Sequence, residues 1–148
     1  MSKVVLITGA SSGIGKAIAY YLAEKGYIVY GTSRNPKTAK EGKVYMISLD
    51  VTQTTSITQA IQTILKEQNR IDYVINNAGM GITGPLEETP DQEIRRVFET
   101  NYFGALEVIK AVLPTMRTQR SGMIINVTSI AGYMGLPYRG IYSATKGA

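Results

Sequence analysis

Four apolar residues in unbroken succession, Val4-Val5-Leu6-Ile7, open the chain and end at Thr8-Gly9. A short, continuous, largely β-branched run fits a strand buried on both faces. Beyond it, Ile14, Ala17, Ile18, Tyr21 and Leu22 fall at i, i+3, i+4, i+7 and i+8. That spacing predicts a helix with those residues facing inward, stopped at Gly26. Tyr27–Thr32 reads as a second strand, residues 35–42 as a polar connection, and Val44–Leu49 as a third strand. Ile57, Ala60, Ile61, Ile64 and Leu65 repeat the helical spacing. Tyr73-Val74-Ile75 predicts a fourth strand. A long helix with Ile94, Val97, Phe98, Ala105, Val108, Ile109 and Val112 on its inner side is expected to end near Pro114. Met123–Val127 predicts a fifth strand, and helix should resume near Tyr142.

Strands alternating with amphipathic helices predict parallel βαβ units. Right-handed crossovers then place helices on both faces of the sheet. The expected fold is α/β, a Rossmann-type doubly wound parallel sheet with strand order 3-2-1-4-5. There is no internal repeat and no low-complexity segment, so residues 1–148 are read as a single dinucleotide-binding domain.

Composition narrows the chemistry. The chain has neither cysteine nor histidine, which removes disulfides, thiolate metal sites and histidine-based triads, so no metal site is expected. Sixteen Lys and Arg against eleven Asp and Glu leave a net charge of +5. The bases are scattered, Arg95-Arg96 being the nearest to a run, so nucleic acid is not the expected partner. No apolar run approaches membrane-spanning length. The expectation is a cytoplasmic protein without a membrane partner.

The segment Thr8-Gly9-Ala10-Ser11-Ser12-Gly13-Ile14-Gly15 sits between the first strand and the first helix. A glycine-rich turn there can cradle phosphate, with backbone N–H groups and the helix dipole facing the anion. A plain βα turn is the competing reading. A nucleoside-triphosphate loop fails, because Ala10 stands where its first glycine is needed and Ala17 where a magnesium-holding hydroxyl is needed. The Gly-x-x-x-Gly-x-Gly spacing is one residue longer than the usual dinucleotide fingerprint. Together with Asn76-Asn77-Ala78-Gly79 and Tyr142-x-x-x-Lys146, in that order along the whole chain, it resembles the short-chain dehydrogenase/reductase family. The likeness extends to its NADP(H)-preferring carbonyl, hydroxysteroid and 3-oxoacyl reductases.

The second strand is followed by Ser33-Arg34, with no acid in reach to hold a ribose 2′-hydroxyl. An arginine there can pair with a 2′-phosphate and Ser33 can add a hydrogen bond, so NADP(H) is expected over NAD(H). A solvent-exposed loop arginine is the alternative. The resemblance implies that Asp50 meets the adenine edge with Val51 beside it. It also implies that Asn77, Ala78 and Gly79 run along the adenosine ribose.

Reducing a carbonyl requires hydride at carbon and a proton at oxygen. A tyrosine hydroxyl can give that proton, and a nearby ammonium stabilises the phenolate left behind. Tyr142 and Lys146, at i and i+4, share one helix face. The resemblance implies that Lys146 also holds the nicotinamide ribose. It implies too that Ser129, 13 residues before Tyr142, orients the carbonyl oxygen, and that Asn101 supports a water-borne proton relay to the lysine. Thr128 should face the other way by strand alternation. The apolar segment Tyr133–Tyr138 either lines a pocket for a hydrophobic carbonyl or alcohol substrate or packs against further helices.

The family's chains are longer, with two more strands, a fuller catalytic helix, a substrate lid and a surface that commonly forms homodimers or homotetramers. The expectation is therefore a truncated chain, inactive by itself, of an enzyme that works as a homo-oligomer. A sugar-nucleotide epimerase or dehydratase shares Tyr-x-x-x-Lys, but its relatives usually carry Gly-x-x-Gly-x-x-Gly. A non-catalytic dinucleotide-binding protein is the third reading.

Overall fold

A computed structural model describes every residue from Met1 to Ala148. Its elements are β1 (Val4–Ile7), α1 (Gly13–Glu24), β2 (Ile28–Ser33), β3 (Lys40–Glu41), β4 (Val44–Ser48), α2 (Thr54–Gln68) and β5 (Tyr73–Asn76). After a single 3₁₀ turn at Leu86–Glu88 come α3 (Asp91–Phe98), a π-helical turn (Glu99–Gly104), α4 (Ala105–Gln119), β6 (Met123–Asn126), α5 (Ile130–Tyr133) and α6 (Gly140–Gly147). The sheet order is β3-β4-β2-β1-β5-β6. All pairs are parallel except the short β3–β4 edge. The five expected strands thus take the expected Rossmann-type order. No helix is long and apolar enough to cross a membrane.

Alternation in the central strand builds two cores. Val4 and Leu6 join Ile57, Ile64, Val108 and Val112 on the α2/α4 side. Val5 and Ile7 join Ala19 and Ala23 on the α1 side. The Tyr30 hydroxyl closes the first core's edge by donating to Glu67 and accepting from Gln68 Nε2 at 3.0 Å. Burial, then the adjacent Glu67 carboxylate, push this phenol up to about 12. At the base of β5, Asp72 accepts from Val4 N–H and from the forked Arg70 guanidinium.

Three features depart from the sequence expectation. The fully buried positions of α1 are Gly15, Ala19 and Ala23; of the expected stripe, Ile18 and Leu22 are partly buried against the core while Ile14 and Tyr21 are exposed. The helix must lie almost on the backbone beside it: a Cβ on Gly15 would come 2.2 Å from the Gly9 carbonyl oxygen. Small residues permit that approach, and the larger Ile18 and Leu22 are only partly buried against the same core. Secondly, the helix containing Pro114 runs on to Gln119. Met116 is buried there and Gln119 grips the Ile71 backbone at both N–H (2.9 Å) and C=O (2.8 Å). Those contacts outweigh the one helical bond that proline forfeits. Thirdly, the polar connection at 35–42 contains β3, two residues long.

Candidate active site

The strand order reverses between β1 and β5, and ligands of open α/β sheets bind outside the carboxyl ends at such a point. A cleft of about 690 Å³ lies there. Beneath it lies Thr8, which is buried. The Thr8 hydroxyl accepts from the N–H groups of Asn77 and Ala78, both at 3.0 Å. Asn77 returns the link by donating its side-chain amide to the carbonyls of Thr8 and Gly9, at 3.2 and 2.9 Å. The two loops therefore fold as one unit although about 70 residues separate them, a loop closure costing only slightly more than a shorter one. Gly9 takes φ +67°, and a Cβ there would stand 2.8 Å from Ala78 Cα, so glycine is required on both counts.

Of the residues expected to bind the cofactor, Gly9, Ser11, Ser12, Ser33 and Arg34 line the cleft on the β1–β2 side. Asp50 and Val51 line it from the end of β4, and Asn77, Ala78 and Gly79 from the end of β5. Thr8, Gly13, Ile14 and Gly15 do not. Thr8 and Gly15 lie beneath the wall, and Gly13 and Ile14 open α1 on its exposed side. Ser12 caps α1 with no side-chain bond, so the first-turn N–H groups have no capping side chain. The Asp50 carboxyl is held below the usual range by the Thr52 hydroxyl first, then by the Thr52 N–H and the Arg34 charge, against an opposing push from burial. It is a fixed acceptor at one end of the cleft.

Sequence reasoning missed part of this wall. Arg96 and Thr100, at i and i+4, also line the cleft. An adjoining groove of about 480 Å³ shares Ser11, Ser33 and Arg34 and adds Lys16 and Lys37. Neither lysine belongs to a spaced motif, so only the folded loop brings them together.

The second constellation sits past β5 and β6. Lys146 donates from Nζ to the Val127 carbonyl at 3.1 Å, at the carboxyl end of β6. The Gly79 surface lies between Lys146 and Asn101: a Cβ there would be 3.5 Å from Lys146 Nζ and 3.3 Å from Asn101 Oδ1. Gly79 also borders the 690 Å³ cleft, and Lys146 itself lines the neighbouring cavity of about 180 Å³, so Gly79 stands between the two. Asn101 is buried within the π-helical turn. Its amide accepts from Met80 N–H (2.8 Å) and donates to Met80 C=O (2.9 Å) and to Thr145 Oγ1 (3.0 Å). Thr145 in turn donates to the Tyr142 carbonyl at 2.7 Å. The Asn101 side chain thus braces the loop and α6 and makes no hydrogen bond to Lys146.

Ser129 caps α5, its hydroxyl accepting from Ala131 N–H at 3.2 Å. α5 lies directly on α6: a Cβ on Gly132 would meet the Lys146 carbonyl at 2.5 Å. This packing brings the serine's helix to the helix of Tyr142 and Lys146, although the three side chains form no hydrogen bond with one another. Thr128 lines the cavity of about 180 Å³ against α4 together with Asn101, Thr145 and Lys146, whereas Ser129 is not among its lining residues. Of the apolar segment, Tyr133 and Tyr138 are exposed.

The model of the short chain dehydrogenase family matches residues 3–148. The chain is 54% identical to a 3-ketodihydrosphingosine reductase of Bacteroides thetaiotaomicron, over 97% of this chain and 53% of that protein. It superposes on the solved structure of ElxO with NADP bound at a TM-score of 0.93 and 34% identity, covering 100% of this chain and 64% of that one. An NAD⁺-bound xylitol dehydrogenase matches at a TM-score of 0.93 and 33% identity, with 99% of this chain and 60% of that one covered. The chain therefore spans about half to two-thirds of the length of these relatives. A family model matched from end to end, carried on the same sheet and cleft, settles the kinship: the chain belongs to the short-chain dehydrogenase family.

Proposed function

We propose that this protein is an oxidoreductase that interconverts a carbonyl and an alcohol with NADP(H), Tyr142 serving as acid and base. The observation carrying this reading is Gly79, which borders the dinucleotide-sized cleft on one side and stands against Lys146 and Asn101 on the other. A cofactor laid along the cleft would end at the tyrosine–lysine helix.

The fit to a dinucleotide rests on the glycine cradle, the open first turn of α1 and the cleft volume. Ser11, Ser12 and the α1 N-terminus would hold the pyrophosphate, and Asp50 the adenine edge. Ser33 and Arg34 would hold a 2′-phosphate, with Lys16 and Lys37 adding positive charge from the same groove. That set favours NADP(H) over NAD(H). When bound, the nicotinamide supplies the reducing equivalents. Tyr142 gives the proton to the substrate oxygen, Ser129 orients that oxygen by hydrogen bonding, and Lys146 places positive charge beside the phenolate left behind. The substrate is proposed to be a small hydrophobic carbonyl, met by the Tyr133–Tyr138 segment. Exposed Tyr102 and Phe103, edge to face at 5.0 Å, are the surface assigned to self-association.

The test separates binding from turnover, since relatives carry roughly as much chain again. NADPH binding is measured by fluorescence titration, and NADPH oxidation is followed across hydrophobic ketones. Tyr142→Phe is expected to keep NADPH affinity within about twofold and to lose turnover by at least about a hundredfold. Full activity in that variant would remove Tyr142 from the reaction.

A further inference from the structure

Arg139 opens the catalytic helix one turn before Tyr142. Its guanidinium carbon lies 4.5 Å from the centroid of the Tyr142 ring. Nη1 donates to Thr83 Oγ1 at 3.2 Å, and a Cβ on Gly81 would lie 3.6 Å from Nη2. The guanidinium is therefore held between the phenol and the loop that follows β5. A second tie runs parallel to it: Gly84 N–H donates to the Tyr138 carbonyl at 2.9 Å. Tyr138 takes φ +60°, a left-handed conformation rare for a side-chain-bearing residue.

The arginine is not arranged for its own solvation. Its Nε is buried and has no acceptor. A terminal arginine swung into water would satisfy all five donors. Here one donor is left unmet while the plane stays on the ring, where attraction to the π face and the Thr83 bond hold it. A backbone strained at Tyr138 and an unmet donor at Arg139, side by side, mark a geometry maintained for what it does to its neighbours.

We propose that Arg139 is a positioning residue that latches the Tyr142 ring to the loop between Gly79 and Thr89. The same loop carries Gly79 and Met80, which meet Lys146 and Asn101. Through the latch, the phenol and the Lys146 side of the site keep one relative placement. The proposal rests on the reading of Tyr142 as the acid–base group.

The test uses the chain with ¹³C-labelled tyrosine rings and bound NADPH, the Tyr142 signal being assigned by its loss in Tyr142→Phe. Arg139→Gln keeps a planar polar group but removes the charge and the fork. It is expected to move the Tyr142 signal and to speed amide exchange at Thr83 and Gly84 about tenfold. NADPH affinity should stay within about twofold. In a form of the protein that turns over, kcat should fall about tenfold with the KM for NADPH unchanged, and Arg139→Lys should recover part of the loss. An unmoved Tyr142 signal, or loop amides no faster than in the parent, overturns the latch. So does an unchanged kcat in a protein that Tyr142→Phe inactivates, or a rise in NADPH KM that accounts for the whole loss. If Tyr142→Phe turns over like the parent, the acid–base reading fails, and the ring and loop signals still decide the latch.

Discussion

Thr8→Val tests whether a single hydroxyl joins the glycine loop to the loop after β5. Valine keeps the branched shape at a position only 1% exposed, so packing is nearly conserved. What disappears is the acceptor for two N–H groups, Asn77 and Ala78, each at 3.0 Å. A buried donor left unmet costs about 1–3 kcal/mol. Both residues are half-buried, so water reaches them in part and the low end applies, about 1 kcal/mol each. The extra buried methyl returns up to about 0.8 kcal/mol. The net expectation is a loss of about 1–2 kcal/mol in urea unfolding, with amide exchange at Asn77 and Ala78 faster by about 10–30-fold. Thr8→Ser, which keeps the oxygen and drops the methyl, should cost about 1 kcal/mol in stability yet leave those two amides protected. NADPH affinity should fall in the valine variant alone, because Gly9, Asn77 and Ala78 all line the cleft. Amides at Asn77 and Ala78 as slow in Thr8→Val as in the parent would refute the reasoning.

Two further outcomes follow from charge. Arg34→Ala is expected to weaken NADPH binding about tenfold while leaving NADH within about threefold, since only the 2′-phosphate loses a charge-assisted partner and Lys16 and Lys37 remain in the groove; equal losses for both cofactors would count against the phosphate role. Burial alone would raise the Asp72 carboxyl, but the Arg70 fork, the Val4 N–H and Lys3 outweigh it and hold it below the usual range. A lowered folded value means its stabilisation is present above the unfolded value of about 3.9 and is lost as pH falls through the folded value. Asp72→Asn should therefore cost roughly 2 kcal/mol at neutral pH, where Arg70 loses its partner, and flatten the acid limb of the stability profile; an unchanged acid limb would remove Asp72 from that titration.

The parts legible in the sequence were those where one physical demand dominates. Val4–Ile7 is apolar throughout because β1 is covered on both faces, and no other element suits such a run. The α1 helix was legible as a helix and its facing only in part, since Ile18 and Leu22 pack against the core while Ile14 and Tyr21 do not. Ile14, Ala17, Ile18, Tyr21 and Leu22 and the set Gly15, Ala19, Ala23 both obey the helical period. Hydropathy favours the first set, while the close approach to Gly9 selects the second. Pro114 misled for the opposite reason, since the contacts of Met116 and Gln119 that carry the helix past it are tertiary and leave no local mark. The spaced motifs gave Ser129, Tyr142 and Lys146 as candidates. They could not give Thr145 or Arg139, which fall at positions where the motif allows any residue and whose partners, Asn101 and Thr83, lie 44 and 56 residues away.

The three motifs are mechanically one object. Gly9 rests on Ala78, Gly15 admits the Asn77 amide, Gly79 admits Lys146 and Asn101, and Gly132 admits the backbone of Lys146. At Gly9, Gly15 and Gly132 a methyl group would press on backbone, and at Gly79 it would sit tightly against Asn101 Oδ1 and in ordinary contact with Lys146. Asn101 bonds to both Met80 and Thr145, and Thr145 to the Tyr142 carbonyl, so the loop after β5 and α6 are joined by one continuous hydrogen-bonded path. The buried amide at Asn101 spends its bonds on this bracing, which is why a polar residue is retained inside a helix whose neighbours Val97, Val108 and Val112 are apolar and buried.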